Sequence, residues 1–385
     1  MVTIDARDLR DKLKVAKLFS NPKCALPIVR NSVFQSSRNG SSLHTTNLDS
    51  HCIVTLPQSA GAPESGNVDT SLLFSLSTRL KGWVDLSADK GSVLVENGVQ
   101  EYYPSSMEGE FPAIPELKPK HDGAFTLSGE VVLALFKAVE SSVAKASDYS
   151  RKTMEGLSLQ VADGKVCAIG TNGRVLAAAS WSGKSLSRNK ETSFVLFPHA
   201  VKAIRAAAKP ESKVKFSLYK GDVDWVKIEV EDFTFYTRSI QGRYPDFRKV
   251  VPTQENLVSF ISLDRKEMEV AVRSALLFAT AKRSPGLLKF VLSPGQIDIY
   301  SDDDNPSGSC QVTVHGDTWQ SESWSVIGFN GYYVLKALAS MKHSERVVWR
   351  FQRENSKAGV IEPEDKGILD SHEFVLMPLK FRDGV

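Results

Sequence analysis

Apolar and polar residues alternate along this chain with two distinct periods. In Leu127–Ala146, valine and leucine side chains recur every fourth residue, which predicts an amphipathic helix. In Val214–Leu218 and Val223–Val230 the apolar residues alternate with polar ones, which predicts strands with one buried face. The chain therefore mixes helices with antiparallel strands, an α+β composition.

The order of these patterns repeats about every 130 residues. A helix is predicted near the start of each third of the chain, at Arg7–Phe19, Leu127–Ala146 and Leu263–Ala281. A second helix is predicted later in each third, at Asp69–Gly82, Pro198–Lys209 and Asn330–Lys342. Repeats of this length indicate copies of a whole α+β unit rather than a short solenoid repeat.

Turn signals recur in step with the helices. Glycine turns are predicted at Asn39-Gly40, Asp163-Gly164 and Pro294-Gly295, and a Thr-Asn pair follows the first two at Thr46-Asn47 and Thr171-Asn172. Proline-bearing connectors lie at Pro112–Lys120 and Val250–Asn256. We therefore predict three similar domains, 1–120, 121–253 and 254–385, each with two helices packed on antiparallel strands. Strands at the ends of each domain could pair across the junctions, and the open ends of such an arc favour an oligomer over a monomer.

Composition agrees with a globular chain of 385 residues. Hydrophobic residues make up 42% and charged residues 24%, and the formal net charge is only +3. This balance excludes a histone-like polycation, but nucleic-acid binding depends on where the charges lie. Basic residues are frequent in the predicted helices, whereas acidic residues cluster elsewhere, as in Asp302–Asp304 and Glu362–Asp370. The predicted helices could therefore present a basic surface to nucleic acid.

No catalytic or metal-binding motif emerges from the residues. The four cysteines lack zinc-site spacing, the seven histidines are dispersed, and no nucleophile motif is present, so we predict no catalytic residues, no metal and no cofactor. Asp302–Asp304 lacks the spacing of a calcium loop. The first residues lack an apolar signal segment, and no apolar stretch approaches the length of a membrane span, so a soluble cytoplasmic protein is expected.

Six motifs in order resemble one family, the bacterial DNA polymerase III beta subunits or sliding clamps. The motifs are Leu26–Val33, Thr46–Asp49, Thr171–Arg174, Gly242–Pro252, Ile327–Leu338 and Val375–Phe381. Among them, the block GRYPDFRKVVP at Gly242–Pro252 resembles the segment that ends the middle domain in that family. The resemblance extends over the full length of the chain.

This resemblance implies a homodimeric head-to-tail ring of six similar domains, of which one chain is half. It implies helices around double-stranded DNA, contacted without sequence preference, and a role in keeping a polymerase on its template. The expected partners are DNA, a second copy of the chain, a polymerase catalytic subunit, a clamp loader and other proteins with clamp-binding peptides. The residues expected to face DNA are basic: Arg10, Lys14, Lys202, Arg205, Lys209, Lys282 and Arg283.

The family also implies a pocket for short peptides between the second and third domains. Carried over to this chain, its lining is mostly apolar with a few polar groups: Met154, Thr171, Gly173, Arg174, Leu176, Pro245, Lys249, Val250, Val375, Leu376, Met377, Pro378 and Leu379. The resemblance further implies that Leu276 and Leu277 meet Tyr102 and Tyr103 of a second copy where the ring closes.

Several positions depart from the family pattern. Asn47 and Asn172 stand where the family usually has aspartate, and Arg174-Val175 replaces a His-Arg pair. The chain also continues past Phe381 by four residues, which could alter peptide preference. Two other functions remain open from the residues alone. One is a metal-dependent DNA-processing enzyme that uses Asp302–Asp304, and the other is a monomeric DNA-binding scaffold.

Overall fold

A computed structural model describes residues 1–37, 40–58, 62–148, 151–183, 186, 191–279, 286–301, 309–320 and 326–380. The predicted site residues Lys282 and Arg283, the Asp302–Asp304 cluster and the four residues after Phe381 lie outside these ranges.

Helices occupy six segments of the described chain. They are α1 (Ala6–Ala16), α2 (Thr70–Ser77), α3 (Gly129–Val139), α4 (Pro198–Ala207), α5 (Arg265–Leu276) and α6 (Gly331–Ser340). Strands of the first third are β1 (Val2–Asp5), β2 (Asn31–Ser37), β3 (Gly40–Thr46), β4 (Ser50–Leu56), β5 (Glu64–Asp69), β6 (Trp83–Asp89), β7 (Ser92–Asn97) and β8 (Gln100–Tyr102).

The remaining strands follow in chain order. Those of the middle third are β9 (Lys118–Ser128), β10 (Leu157–Ala162), β11 (Lys165–Thr171), β12 (Val175–Ser182), β13 (Thr192–Leu196), β14 (Lys213–Lys220), β15 (Asp224–Val230) and β16 (Phe233–Arg238). Those of the last third are β17 (Leu257–Asp264), β18 (Leu287–Ser293), β19 (Gln296–Ser301), β20 (Gln311–Gln320), β21 (Val326–Asn330), β22 (Arg346–Gln352), β23 (Gly359–Pro363) and β24 (Ser371–Leu376).

The chain folds into two compact units. The first comprises Met1–Leu133, Ala162–Gly164 and Ser185–Gln241, and the second comprises Ala134–Val161, Lys165–Lys184 and Gly242–Val385. Each unit combines elements from two thirds of the sequence. The division into three domains at 120/121 and 253/254 stays a prediction. The connector predicted at Pro112–Lys120 ends before Lys118, because Lys118–Lys120 already belong to β9.

One antiparallel sheet dominates the first unit. Its order is β1-β6-β7-β5-β2-β3-β4-β16-β15-β14-β9, with β8 on β7 and a single parallel step between β5 and β7. The pairing of β4 with β16 joins the first third of the chain to the middle third, in the register Cys52 opposite Phe235. Helix α1 packs against both α2 and α4 in this unit. Stacked rings such as Phe19 on Phe235, at 5.2 Å between centroids, lie in its core.

A second sheet dominates the other unit. Its order from β10 onward is β10-β11-β12-β24-β23-β22-β17-β20-β19-β18-β21. Here β12 of the middle third pairs with β24 of the last third, so strands from different thirds pair in both units. The core contains Phe290, Phe329, Trp349 and Phe351, all fully buried. The first three rings contact one another, and Phe351 stacks on Trp349.

The helices begin and end differently from the sequence prediction. The helix predicted over Leu127–Ala146 covers only Gly129–Val139, because Leu127 and Ser128 continue β9 and pair with Val214 and Lys213. Its end comes at Val139, where the next residues form a tight turn and the Ser142 hydroxyl donates to the Val139 carbonyl at 2.6 Å. The predicted helix was therefore wrong at both ends.

The helix predicted over Leu263–Ala281 also begins later than expected, for a related reason. Leu263 belongs to β17, and Asp264 caps α5 by accepting from the Glu267 amide at 2.8 Å. The helix predicted over Arg7–Phe19 agrees better with the structure, because α1 spans Ala6–Ala16 and continues as one tight turn over Lys17–Phe19. The strand predicted at 214–218 is confirmed within β14, and the one predicted at 223–230 is confirmed as β15, which begins one residue later at Asp224.

Candidate functional site

A short turn between β11 and β12 brings several predicted site residues together in the second unit. The Asn172 Oδ1 atom accepts from the amides of Arg174 and Val175, both at 3.0 Å. The Thr171 hydroxyl donates to the Val175 carbonyl at 2.7 Å and accepts from the Gly173 amide at 3.1 Å. Asparagine and threonine often hold turns in this way. The turn is thus defined by side chains as well as backbone.

Glycine is required at the tip of this turn. Gly173 has φ +84°, a left-handed conformation that glycine adopts without steric cost. A Cβ atom at this position would lie 3.3 Å from Met154 Cε, which is tighter than ordinary contact. The tip therefore lies directly against Met154, another predicted site residue.

The strand β24 and the chain after it complete this region. Leu176 lies opposite Val375 in the β12–β24 ladder. Beyond the strand, the Met377 amide donates to the Arg174 carbonyl at 3.1 Å, and the Leu379 amide donates to the Gly328 carbonyl at 2.8 Å. These bonds hold Met377–Leu379 alongside the turn.

An apolar cluster covers one face of these strands. Its buried members are Ile169, Leu176, Ala178, Ala358, Val360 and Val375, with Cys167, Tyr244, Phe247, Val251 and Leu257 packed against them. The Tyr244 hydroxyl donates to the Ile169 carbonyl at 3.2 Å, and burial raises the pKa of this phenol. Burial also raises the pKa of the Cys167 thiol to about 11, so it stays protonated at neutral pH.

The predicted pocket residues divide by exposure. Met154, Thr171, Leu176 and Val375 are buried, and Pro245 and Pro378 are half-buried. The exposed members lie around them: Gly173, Arg174, Lys249, Val250, Met377 and Leu379. Val250, Met377 and Leu379 expose 40%, 44% and 38% of their surface, although all three are large apolar side chains of the second unit.

Leu376 faces the other side of the sheet. Neighbouring residues in a strand point to opposite faces, and Val375 belongs to the apolar cluster, so Leu376 lies on the far face opposite Val175. Val175 is buried on that face. Arg174 is the only cation of the turn Thr171–Val175. Leu376 is therefore not part of the proposed pocket.

Basic side chains line the neighbouring helices α1 and α4 in the first unit. Lys14 and Lys202 are exposed, Arg10 and Arg205 are half-buried, and Lys209 is exposed just beyond α4. On α4 the apolar residues Ala200, Ala203, Ile204 and Ala207 are buried instead. No carboxylate of the described chain lies within ion-pair distance of Arg10, Lys14, Lys202 or Lys209.

One lysine of α1 has a different role. Lys12 is buried, forms ion pairs with Asp8 and with Asp232 beyond β15, and lies 5.9 Å from the Phe233 ring centroid. It is therefore a structural cation that fastens α1 to the β15–β16 turn. Charge counting along the helix does not distinguish it from Lys14.

Of the four residues predicted to close a ring, two are exposed, one is half-buried and one is buried. In the first unit, Tyr103 is 68% exposed and Tyr102 half-buried at the end of β8, which pairs only with β7 among the described strands. In the second unit, Leu277 is 72% exposed just after α5, whereas Leu276 is buried. Leu276 therefore supports the helix from within and Leu277 is the residue accessible to a partner.

Sequence reasoning missed several exposed apolar residues near these positions. Trp83 and Val99 in the first unit and Val270 in the second are 69%, 101% and 63% exposed. Their positions in the hydrophobic pattern could have identified two of them. Trp83 alternates with the buried Val84 and Leu86 of β6 and so belongs to the other face of the strand, and Val270 lies outside the buried face of α5. A large apolar residue at a solvent-facing position of a helix or strand leaves apolar surface exposed to water.

Neither a metal-binding cluster nor a helix able to cross a membrane occurs among the described residues. They contain no group of three or more His, Cys, Asp or Glu residues placed to hold a metal ion. None of their helices combines the length and the hydropathy that crossing a membrane requires.

Known proteins resemble this chain along its whole length. No protein-family model matches it. A beta sliding clamp of Chlamydia muridarum is 24% identical over 99% of this chain and 99% of its own, and one of Staphylococcus aureus is 21% identical over 97% and 96%.

Solved structures give the same result at the level of fold. The DNA polymerase III beta subunit of Pseudomonas aeruginosa superposes with a TM-score of 0.85 at 19% identity, covering 98% of this chain and 99% of its own. That of Thermotoga maritima gives 0.85 at 18% identity, with 99% of both chains covered. This chain therefore has the fold of the DNA polymerase III beta subunits and resembles the bacterial beta sliding clamps over nearly its full length, as its six motifs predicted.

Proposed function

We propose that this protein is a DNA sliding clamp, in which two copies form a closed ring around double-stranded DNA and hold a replicative polymerase on its template. The observation that carries the proposal is the fold shared with DNA polymerase III beta subunits over 98–99% of the chain. A fold alone does not establish a function. Three features of this chain's own residues give further support.

The exposed apolar residues at two places suit a head-to-tail dimer. One set lies around the edge strand β8 in the first unit, at Trp83, Val99 and Tyr103, and the other lies on and after α5 in the second unit, at Val270 and Leu277. Two different surfaces that complement each other give a heterologous contact, and two such contacts close a ring of two chains. Burial of these side chains would remove apolar surface from water at roughly 25 cal/mol per Å².

The cations of α1 and α4 suit contact with DNA phosphates. Lys14, Lys202 and Lys209 are exposed, and Arg10 and Arg205 are partly so. Long basic side chains that meet phosphates without reading bases bind duplex DNA regardless of sequence. Such contacts permit a ring to slide. Lys282 and Arg283 are part of the same proposal from sequence alone.

The apolar cluster beside the Thr171–Val175 turn suits short partner peptides. Val250, Met377 and Leu379 are exposed apolar side chains, and Met154, Leu176 and Val375 lie buried beneath this region. A surface of this kind holds the hydrophobic anchors of a peptide, while polar groups at its edge orient the backbone. The polymerase, the clamp loader and other proteins with such peptides are the proposed occupants. The protein would act as a non-catalytic subunit in the cytoplasm, without a cofactor.

Retention on DNA of two topologies tests the proposal. The purified protein is loaded by a clamp loader onto nicked circular DNA or onto the same DNA linearised, and bound protein is separated by gel filtration at moderate salt. A ring remains on the circle and slides off free ends, so we expect retention on circular DNA only. Equal retention on both forms would instead indicate ordinary groove binding by an open scaffold.

A further inference from the structure

The proposed peptide site is surrounded by a strong excess of positive charge. The segments that build it are 151–155, 171–175, 242–250 and 377–380. Their cations are Arg151, Lys152, Arg174, Arg243, Arg248, Lys249 and Lys380, and their carboxylates are only Glu155 and Asp246. All seven cations are exposed. This excess is local, because the whole chain carries a net charge of only +3.

None of these cations is neutralised within the described chain. The ion pairs of the second unit involve other residues, such as Arg265 with Glu269 and Arg350 with Glu362. No described carboxylate lies within 4 Å of the charged ends of the seven. Elsewhere in the unit, by contrast, Glu269 binds two arginines at once.

Three of the cations adjoin the apolar surface directly. The Arg174 carbonyl accepts from the Met377 amide at 3.1 Å, so Arg174 stands next to Met377. The Arg248 guanidinium lies 5.8 Å from the ring centroid of Phe247, which packs against the apolar cluster. Lys249 lies between Arg248 and the exposed Val250.

The carboxylates on this face of the sheet do not balance that charge. Glu373 shares the face of Val375, but its carboxylate lies within 4 Å of none of the seven cations. Burial and the nearby Glu362 raise its pKa, while Lys165 and Lys366 oppose the shift. Glu362 is already paired with Arg350 at 3.1 Å. The apolar surface therefore has cations at its edge that no carboxylate of the described residues pairs with, and the acidic groups of a bound peptide could pair with them.

We propose that this site selects peptides in which acidic residues directly flank the apolar anchor. The inference rests on the proposed peptide-binding function and adds a chemical class of partner to it. An apolar anchor packs on Val250, Met377 and Leu379, and aspartate or glutamate beside the anchor meets Arg174 and Lys249. Charge complementarity of this kind favours one partner over another and speeds encounter more than it raises maximal affinity.

Fluorescence anisotropy with three labelled peptides tests the proposal on the full-length protein. All three carry the same Leu-Phe anchor, flanked by aspartates, by serines or by lysines. We expect the acidic peptide to bind about tenfold more tightly than the serine peptide at low salt, and the lysine peptide to bind weakest. The difference shrinks in high salt because exposed charges are screened.

Matched variants assign the effect to this site. Arg174→Gln combined with Lys249→Gln is expected to bring the acidic peptide to the level of the serine peptide. Lys213→Gln, a change at an exposed lysine on β14 in the first unit, is expected to leave the preference intact. Both sets of residues are exposed, so the variants should fold normally.

The outcomes separate the two proposals. If all three peptides bind with the same affinity, the acidic preference is refuted while the peptide site stands. If none of the three peptides binds, the peptide site itself is refuted. A preference that survives the Arg174/Lys249 double change would also refute the assignment to these cations.

Discussion

At the scale of single residues, two asparagines hold equivalent turns in different thirds of the chain. Asn47 Oδ1 accepts from the Ser50 amide at 2.9 Å, as Asn172 Oδ1 accepts from the Val175 amide at 3.0 Å. Thr46 and Thr171 bond the carbonyls of Ser50 and Val175 in the same way. The third turn position has positive φ in both, +78° at Leu48 and +84° at Gly173. The repeated Thr-Asn pair thus marked a real structural repeat.

Asn47 and Asn172 keep this turn geometry, although the family usually has aspartate at both positions. An amide oxygen accepts from the turn amides as a carboxylate does, so the turn is kept. The amide nitrogen adds a donor: Asn172 Nδ2 lies 3.4 Å from the Tyr333 hydroxyl, and Asn47 Nδ2 lies 3.3 Å from His199 Nε2. Sequence comparison shows the substitution, but only the fold shows the second partner.

We predict that Asn172→Ala lowers stability and peptide binding together. The change removes the acceptor of two turn amides, and removing hydrogen bonds of this kind costs about 1–2 kcal/mol. The measurement is the urea midpoint of the transition in which the second unit unfolds, with peptide anisotropy beside it. Asn172→Asp is the control and is expected to behave nearly as the original chain, since it keeps the acceptor. An unchanged midpoint in Asn172→Ala would contradict the role given to this side chain.

At the scale of elements, hydrophobic period predicted which helices and strands exist better than where they end. The ends depend on interactions that a period does not contain. Residues 127 and 128 fit the helical pattern but lie in β9 because Val214 and Lys213 are available as ladder partners. Tertiary pairing overrides local preference in such places. The same limit explains Lys12, whose burial depends on Asp232, 220 residues away.

The cations of α1 and α4 give a prediction for DNA binding. Removing one cation that binds a phosphate should reduce the slope of log K against log salt by about 0.9. Lys14→Gln with Lys202→Gln is therefore expected to lower the slope by about 1.8, twice that value, with weaker binding to all duplex sequences. Filter binding or anisotropy over a salt series measures it. Lys213→Gln is the control, and an equal reduction of the slope in that variant would show that no particular helix face meets DNA.

Three histidines of the first unit give a prediction for pH dependence. Burial lowers the pKa values of His44, His51 and His199 to about 4, from 6.5. For His51, the neighbours His44 and Arg238 lower it further, while Asp49 opposes the effect at His199. His44 Nε2 and His51 Nδ1 lie 3.3 Å apart, and His199 Nε2 lies 2.9 Å from the Ser50 hydroxyl.

The sign follows from proton uptake. Between pH 6.5 and 4 the unfolded chain binds protons on these histidines and the folded chain does not, so stability falls as pH falls through that window. Above pH 6.5 both states are neutral and the effect is absent. Thermal unfolding of the first unit between about pH 7.5 and 4.5 measures it. His44→Gln removes one of these proton-binding groups and should reduce the loss of stability by the contribution of that group. His315→Gln, a change at an exposed histidine of the second unit, should leave the loss unchanged. A first unit equally stable at both ends of that range would contradict the prediction.

At the scale of the whole molecule, the order of motifs carried more information than any one motif. The chain is 24% identical to the Chlamydia muridarum clamp and matches no family model, yet its fold superposes on beta subunits at TM-score 0.85. Six short motifs in order, with a repeat about every 130 residues, were enough to predict that fold. The exposed Trp83, Val99 and Val270 escaped prediction because their surroundings, not their identities, make them unusual.

Ring formation gives a prediction for the oligomeric state. Leu277→Asp places a charge on a side chain that is 72% exposed, so the chain should fold normally but no longer bind its partner. Sedimentation should give twice 42.4 kDa for the original chain and 42.4 kDa for the variant at micromolar concentration. Leu26→Asp, at a leucine that is 51% exposed and lies outside the proposed contact, is the control and should stay dimeric. Dimers in both variants would contradict the proposed contact.

The central claim is that this chain encircles DNA, and release on cutting tests it most directly. The protein is assembled on nicked circular DNA and isolated as the complex, and the circle is then cut once with a restriction enzyme. The account predicts that the protein stays bound until the cut and is released after it, and that Leu277→Asp is never retained. Protein that remains on the linear product as firmly as on the circle would contradict the account.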